Sequence, residues 1–160
     1  MVTKIYLSDN QDITRAGLMY ICQTMQNAEV KRAEDKNELI EHLKDSADAV
    51  VVLDYTLFDI NDVEELVILH QRFRATRWLL FSEELSIDFV RRLIAESPNF
   101  SILLKESPLQ EIREALEYVM RGKRFICQRM TEILLTPATT VAEDDILLTP
   151  TETEILKDIA

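Results

Sequence analysis

Glycine is almost missing from this chain, with only Gly17 and Gly122 among 160 residues. A loop that cradles phosphates with its backbone needs several glycines in one turn, so P-loop and dinucleotide-binding functions are excluded. Cysteine is as sparse: Cys22 and Cys127 are far apart and form no CxxC pair, so two ordinary thiols are expected rather than a disulfide or metal site. Basic charge is short. Eighteen Lys and Arg face 29 Asp and Glu, for a formal net charge of −11. A surface of that sign repels nucleic-acid phosphates, so any DNA contact is expected outside this stretch of sequence. No apolar run approaches the length that spans a bilayer. Met1 to Ile5 lead into an apolar segment too short for a signal peptide. Together these point to a cytoplasmic protein without a membrane partner. What is present is ordinary for a globular fold: 47% hydrophobic and 29% charged residues, in a length sufficient for one core and a tail.

Short apolar runs alternate with longer amphipathic ones. Lys4–Ser8, Glu29–Ala33, Ala49–Leu53, Trp78–Phe81 and Ile102–Leu104 read as strands. Ala49-Val50-Val51-Val52-Leu53 is apolar without alternation, as in a strand buried on both faces. Between them, Asp12–Gln26, Lys36–Lys44, Asp62–Phe73 and Ile87–Glu96 carry apolar residues at helical spacing. In the first of these the inward set is expected to be Ile13, Ala16, Leu18, Ile21 and Met25. Ser107-Pro108 opens a fifth helix, with Pro108 expected at its first position and Gly122 placed to cap its end. Strict alternation predicts an α/β fold: a doubly wound, five-stranded parallel sheet of order 2-1-3-4-5 with helices on both faces.

After Gly122 the character changes. Arg124–Leu135 reads as a strand-like turn and a helix, and 136–145, with Pro137 and Glu143-Asp144-Asp145, as a linker. Thr149 and Glu152 then form a capping box around Pro150, opening another helix before Ala160.

In open parallel sheets, sites form at the carboxyl ends of strands. The residues there are Asp9 and Asn10 after the first strand, Asp54 after the third, Ser82 after the fourth and Lys105 after the fifth. These types suit phosphoryl transfer to a carboxylate. Asp54, expected to be exposed at the end of a rigid strand, is the nucleophile. Asp9 would help hold Mg²⁺, a hard cation that takes oxygen ligands and offsets repulsion between a carboxylate and an incoming phosphoryl group. Lys105 supplies positive charge to a phosphoryl oxygen and Ser82 a hydrogen bond to another. Each residue also has a bland role: Asp9 as a helix N-cap, Ser82 as a turn residue, Lys105 and Glu106 as a solvated pair. Their arrival at one edge from four strands is what favours function.

With that set in view, residues 2–122 resemble the receiver domains of bacterial response regulators. The resemblance rests on Ile5-Tyr6-Leu7-Ser8-Asp9-Asn10 with Arg15 and Gly17-Leu18, on Ala49–Asp54, on Leu80-Phe81-Ser82, and on Leu103-Leu104-Lys105-Glu106-Ser107-Pro108. It implies that Asp54 accepts a phosphoryl group from a sensor histidine kinase and that Asp9, Asn10 and Asp54 hold Mg²⁺. Ser82 would be the switch hydroxyl and Lys105 the partner lysine. It implies a phosphoacceptor that assists its own phosphorylation and dephosphorylation rather than an enzyme. Leu148–Leu156 resembles the opening of a LuxR-type helix-turn-helix domain, as in LuxR/NarL-type regulators. The implied organisation is a receiver at 1–122, a helical extension and linker at 123–147, and the truncated start of a DNA-binding domain at 148–160. Such regulators usually act as homodimers and bind DNA only through that C-terminal domain, whose recognition helix is not in this sequence.

The chain departs from the family pattern at four places. Asn10 replaces a second acid, which removes charge from the metal site. Glu83 replaces a small residue beside the switch hydroxyl, Thr56–Ile60 lacks Pro and Gly, and Ile102 occupies the aromatic switch position. They keep open a second expectation: a degenerate pseudo-receiver, a phosphorylation-independent dimerisation or protein-interaction module. A dehalogenase-type phosphatase would need an acid where Thr56 stands, and a flavodoxin-like cofactor binder a Ser/Thr/Gly-rich loop where Ser8–Asp12 is acidic. His42 and His70 are expected as packing or surface residues, Trp78 and Phe81 as core. Arg72, Arg74 and Arg77 read as a solvated loop, and Arg91 and Arg92 lie near the face that receivers often use for partners.

Overall fold

The computed structural model describes residues 2–55, 58, 60 and 62–135. Residues up to Met130 form one compact unit, and 131–135 fall outside it. The expected capping box at Thr149–Glu152, the linker and most of the Thr56–Ile60 turn lie outside the described residues.

Strands β1 (Thr3–Ser8), β2 (Ala28–Arg32), β3 (Ala49–Leu53), β4 (Arg77–Ser82) and β5 (Phe100–Leu104) alternate with helices α1 (Asp12–Gln23), α2 (Lys36–Asp45), α3 (Val63–Arg72), α4 (Ile87–Glu96) and α5 (Leu109–Met120). Helix α6 (Gln128–Leu135) follows. All neighbouring strands pair in parallel, in the order β2-β1-β3-β4-β5 expected from the alternation. The central strand β3 is apolar and buried throughout, and β4 is buried from Trp78 to Ser82, because helices cover both faces; the edge strand β2 is only half buried.

Capping fixes where the helices begin. Asp35, Asp62 and Ser86 each accept a hydrogen bond from the backbone N–H three residues on, satisfying donors that the helix cannot. At the end of α5, Gly122 takes φ 79°; its N–H donates to Val119 O at 3.0 Å and Lys123 N–H to Tyr118 O at 2.9 Å. That pair of bonds is a Schellman cap, which favours glycine because a Cβ is disfavoured at positive φ. Pro108 corrects one expectation: it stands at the N-cap with ψ 156°, outside the helix rather than at its first position.

Helix α1 corrects two more. It ends at Gln23, three residues early, because Thr24 takes over the last carbonyls and Asn27 turns the chain with φ 66° into β2. Its buried face is Leu18, Ile21 and Cys22, whereas Ile13 is 84% exposed and Ala16 also faces outward. Arg77 is no solvated loop residue. Its guanidinium donates to Val119 O and Met120 O, both at 2.8 Å, and so caps α5 from β4. The strand-like turn expected after Gly122 forms at the edge of β5. Ile102 N–H donates to Phe125 O at 2.8 Å and Cys127 N–H to Ile102 O at 3.0 Å, which covers an edge otherwise open to pairing. Arg124 pins this segment by donating to Ile94 O and Ser97 O at the end of α4.

Candidate functional site

Register brings the strand ends together. Ser8 pairs with Leu53, Leu53 with Leu80 and Ser82 with Leu104. Two further backbone bonds extend the ladder past the strands: Asp54 N–H to Ser8 O at 3.0 Å and Lys105 N–H to Ser82 O at 2.9 Å. Asp9, Asp54, Ser82 and Lys105 are therefore delivered to one edge by rigid backbone rather than by loops.

Their side chains meet. Ser82 Oγ donates to Asp54 Oδ1 at 2.9 Å and accepts from Tyr55 N–H at 3.1 Å. Lys105 Nζ donates to Asp54 Oδ2 at 2.5 Å and lies 3.0 Å from Asp9 Oδ2. The contact to Asp9 is an ion pair outside hydrogen-bonding geometry, which leaves Asp9 Oδ2 buried without a hydrogen-bond donor. Asp9 Oδ1 is held by Gln11 N–H at 2.8 Å. The ammonium thus sits between two buried carboxylates, the arrangement that makes burial of either tolerable.

One expectation is corrected here. Asp54 is not exposed: it is 1% accessible, closed in by the Ser82 hydroxyl and the Lys105 ammonium. Asn10 is exposed, beside the buried Asp9. Glu83 is exposed as well, next to buried Ser82. Ile102, at the aromatic switch position, is core and its backbone holds the Phe125–Cys127 segment.

Two residues that sequence reasoning passed over belong to the site. Gln11 Oε1 accepts from Lys105 Nζ at 2.5 Å and from Thr14 Oγ1 at 3.0 Å. Tyr55 connects Ser82 to α4, since its ring lies 4.1 Å from that of Phe89, centroid to centroid. Gln11 had one signal in the sequence: glutamine is a poor N-cap residue, yet it stands at the start of α1. Tyr55 had none, because its partner Phe89 is remote in sequence.

Oxygen donors are what a hard divalent cation takes, and the buried Asp9 oxygen without a donor faces the same ammonium as Asp54. The residues fit such an ion. The two carboxylates at this edge are Asp9 and Asp54; among the described residues no set of three or more His, Cys, Asp or Glu side chains forms a metal cluster.

The tempting residues elsewhere are structural. His70 is buried, its Nε2 3.0 Å from Ser97 Oγ, and Trp78 Nε1–H donates to its Nδ1 at 3.2 Å. His42 stacks on Tyr6 and bonds Arg32 O. Among the described residues no helix is long and apolar enough to cross a membrane.

The fold is the one seen in receiver domains of response regulators. The chain is similar to a LuxR-family response regulator from Aurantimonas sp. SI85-9A1 (TM-score 0.72, 21% identity, covering 84% of this chain and 96% of that one). It is similar to the isolated REC domain of RcsB from Salmonella enterica serovar Typhimurium with phosphomimetic BeF3⁻ (TM-score 0.71, 16% identity, 84% and 99% covered). It is also similar to RcsB in a structure of two RcsB dimers bound to two parallel DNAs (TM-score 0.70, 18% identity, 84% and 68% covered). No protein-family model matches the sequence, and no curated protein matches it.

Proposed function

We propose that this chain is a phosphoacceptor receiver that takes a phosphoryl group on Asp54 from a sensor histidine kinase. The observation that carries the reading is the Asp54 carboxylate held between Ser82 Oγ at 2.9 Å and Lys105 Nζ at 2.5 Å, beside buried Asp9. In the transfer, an Asp54 oxygen attacks phosphorus, the phosphorus–nitrogen bond of a phosphohistidine breaks, and the leaving imidazole nitrogen takes up a proton. Lys105 then holds one phosphoryl oxygen and Ser82 another, replacing the bonds both now make to the free carboxylate. Asp9, Asp54 and Asn10 would hold Mg²⁺, which neutralises charge between the acceptor and the phosphoryl group. Because Asp54 is buried, entry requires the Lys105 and Ser82 contacts to give way, so phosphorylation is coupled to a local rearrangement. RcsB is recorded as dimers on DNA. By analogy this chain would serve a homodimeric transcription regulator through a C-terminal DNA-binding domain, in the cytoplasm.

The burial of Asp54 and the exposed amide at Asn10 also favour the second reading, an interaction module that works without phosphate. Incubation with Mg²⁺ and acetyl phosphate, followed by intact mass, separates the two. A phosphoryl mass gain that disappears in Asp54→Asn supports the phosphoacceptor. No gain in the wild-type protein, with no response to Mg²⁺ and beryllofluoride, favours the module.

A further inference from the structure

We infer that Gln11 is a positioning residue that governs the competition between Lys105 and a divalent cation for the Asp9–Asp54 carboxylates; the inference rests on the phosphoacceptor reading. The Lys105 ammonium is the counter-ion of both buried acids, 2.5 Å from Asp54 and 3.0 Å from Asp9. A cation seated on the same carboxylates has to displace or share that charge. The ammonium has three N–H donors. One goes to Asp54 Oδ2 and one to Gln11 Oε1 at 2.5 Å, while Asp9 Oδ2 is left without a hydrogen bond. Gln11 therefore takes one of the ammonium's donors, and Asp9 Oδ2 keeps an ion pair at 3.0 Å but no hydrogen bond.

The local structure points the same way. Gln11 is the N-cap residue of α1, but its side chain makes no capping bond. Its backbone N–H steadies the other Asp9 oxygen at 2.8 Å, and Thr14 Oγ1 donates to its amide oxygen at 3.0 Å. The side chain is thus held between Lys105 and Thr14 of its own helix instead of capping it. One residue fixes the acid through its backbone and the competing ammonium through its amide. The device matters most in a site whose third donor is the uncharged Asn10, where metal affinity has little charge to spare.

Titrating Mg²⁺ alone into the full chain by calorimetry tests this, in the wild-type protein and in the Gln11→Met and Gln11→Glu variants. Methionine keeps the length and apolar stem but removes the acceptor; glutamate keeps the acceptor. Gln11→Met is expected to bind Mg²⁺ on the order of tenfold more weakly, as for loss of an outer-shell partner. Gln11→Glu is expected to bind at least as tightly as wild type. Thermal unfolding should be similar in all three, because no side-chain cap is lost, and the Lys105 ammonium ¹⁵N resonance should move in Gln11→Met before metal is added. Equal Mg²⁺ affinity in wild type and Gln11→Met overturns the inference, as does a wild-type protein that does not bind Mg²⁺. If wild type binds Mg²⁺ but acetyl phosphate adds no mass at Asp54, the phosphoacceptor reading fails, and the Mg²⁺ series still decides the role of Gln11.

Discussion

Lys105 shows how much one side chain can hold. Its ammonium is the charge partner of Asp9 and Asp54, and both acids are shut away from water. Removing it leaves two carboxylates facing each other without compensation, which costs about 3–5 kcal/mol for a buried pair. Lys105→Met should therefore lower the unfolding free energy by about that much, measured by urea denaturation near neutral pH. It should also slow modification of Asp54 by acetyl phosphate by about 10²-fold, the scale of losing a preorganised charge-stabilising donor. Stability close to that of wild type would mean that the carboxylates have another partner. Asp9, Asp54, Ser82 and Lys105 were legible because each stands at or just past the carboxyl end of a strand with an apolar core. Gln11 left only the hint of a poor N-cap residue, since its value lies in reaching a lysine 94 positions away. The burial of Asp54 was not legible, because a strand end predicts a position and not what closes over it.

His70 gives a second prediction at the same scale. The Trp78 indole can only donate, so His70 Nδ1 must be the acceptor and the ring neutral. Burial, and then the charge of Arg74, hold its pKa below the ordinary 6.5, opposed by Glu96. The folded state therefore binds this proton less readily than the unfolded one. The stabilisation is complete above about 6.5 and is lost as pH falls from there through the lower folded value. Acidification should protonate Nδ1, break the bond from Trp78 and change the emission of the single tryptophan. A His70→Leu variant should lose less stability than wild type between pH 7.5 and 5. Parallel losses in the two proteins would remove His70 as a contributor. Trp78 reports on His70 better than on Asp54, because it lies near the opposite end of β4 from Ser82, about 13 Å away at strand rise.

Among the elements, the ends carry more information than the middles. Apolar runs and helical periodicity revealed every strand and helix from β1 to α5, because covered strands need apolar residues on both faces. Periodicity placed Ile13 inward and was wrong, since α1 buries only the face of Leu18, Ile21 and Cys22. The end of α5 was read from Gly122 alone, yet Arg77 shares the work of capping from a different strand. Gly122→Ala should cost about 1 kcal/mol through backbone strain at positive φ. No atom lies within 4 Å of the added Cβ, so no steric term adds to it. Arg77→Met should cost about 1–3 kcal/mol, because it removes the Arg77 bond to Met120 O and leaves Val119 O to the Gly122 N–H alone. Thermal unfolding of both variants should show the larger fall for Arg77→Met, and the reverse order would assign the cap to glycine alone.

At the scale of the whole molecule, the site is tied to the surface by a short chain of contacts. Ser82 Oγ is shared between Asp54 Oδ1 and the backbone N–H of Tyr55, so a hydroxyl drawn to a phosphoryl oxygen must loosen Tyr55. The Tyr55 ring packs on Phe89 in α4, and α4 is joined to α3 by Arg92, which reaches both Glu96 and Glu64. Ile102 holds the Phe125–Cys127 segment by its backbone, whereas α4 meets the site through Phe89 on Tyr55. Beryllofluoride with Mg²⁺ should therefore raise amide exchange in α4 and leave β2, at the far edge of the sheet, unchanged. Tyr55→Ala should raise α4 exchange before any ligand is added and blunt the further response. An unchanged α4 in the ligated wild type, with Asp54 modified, would show that the signal leaves through another face. A rise confined to wild type would place Tyr55 and Phe89 in the role that Ile102 does not fill.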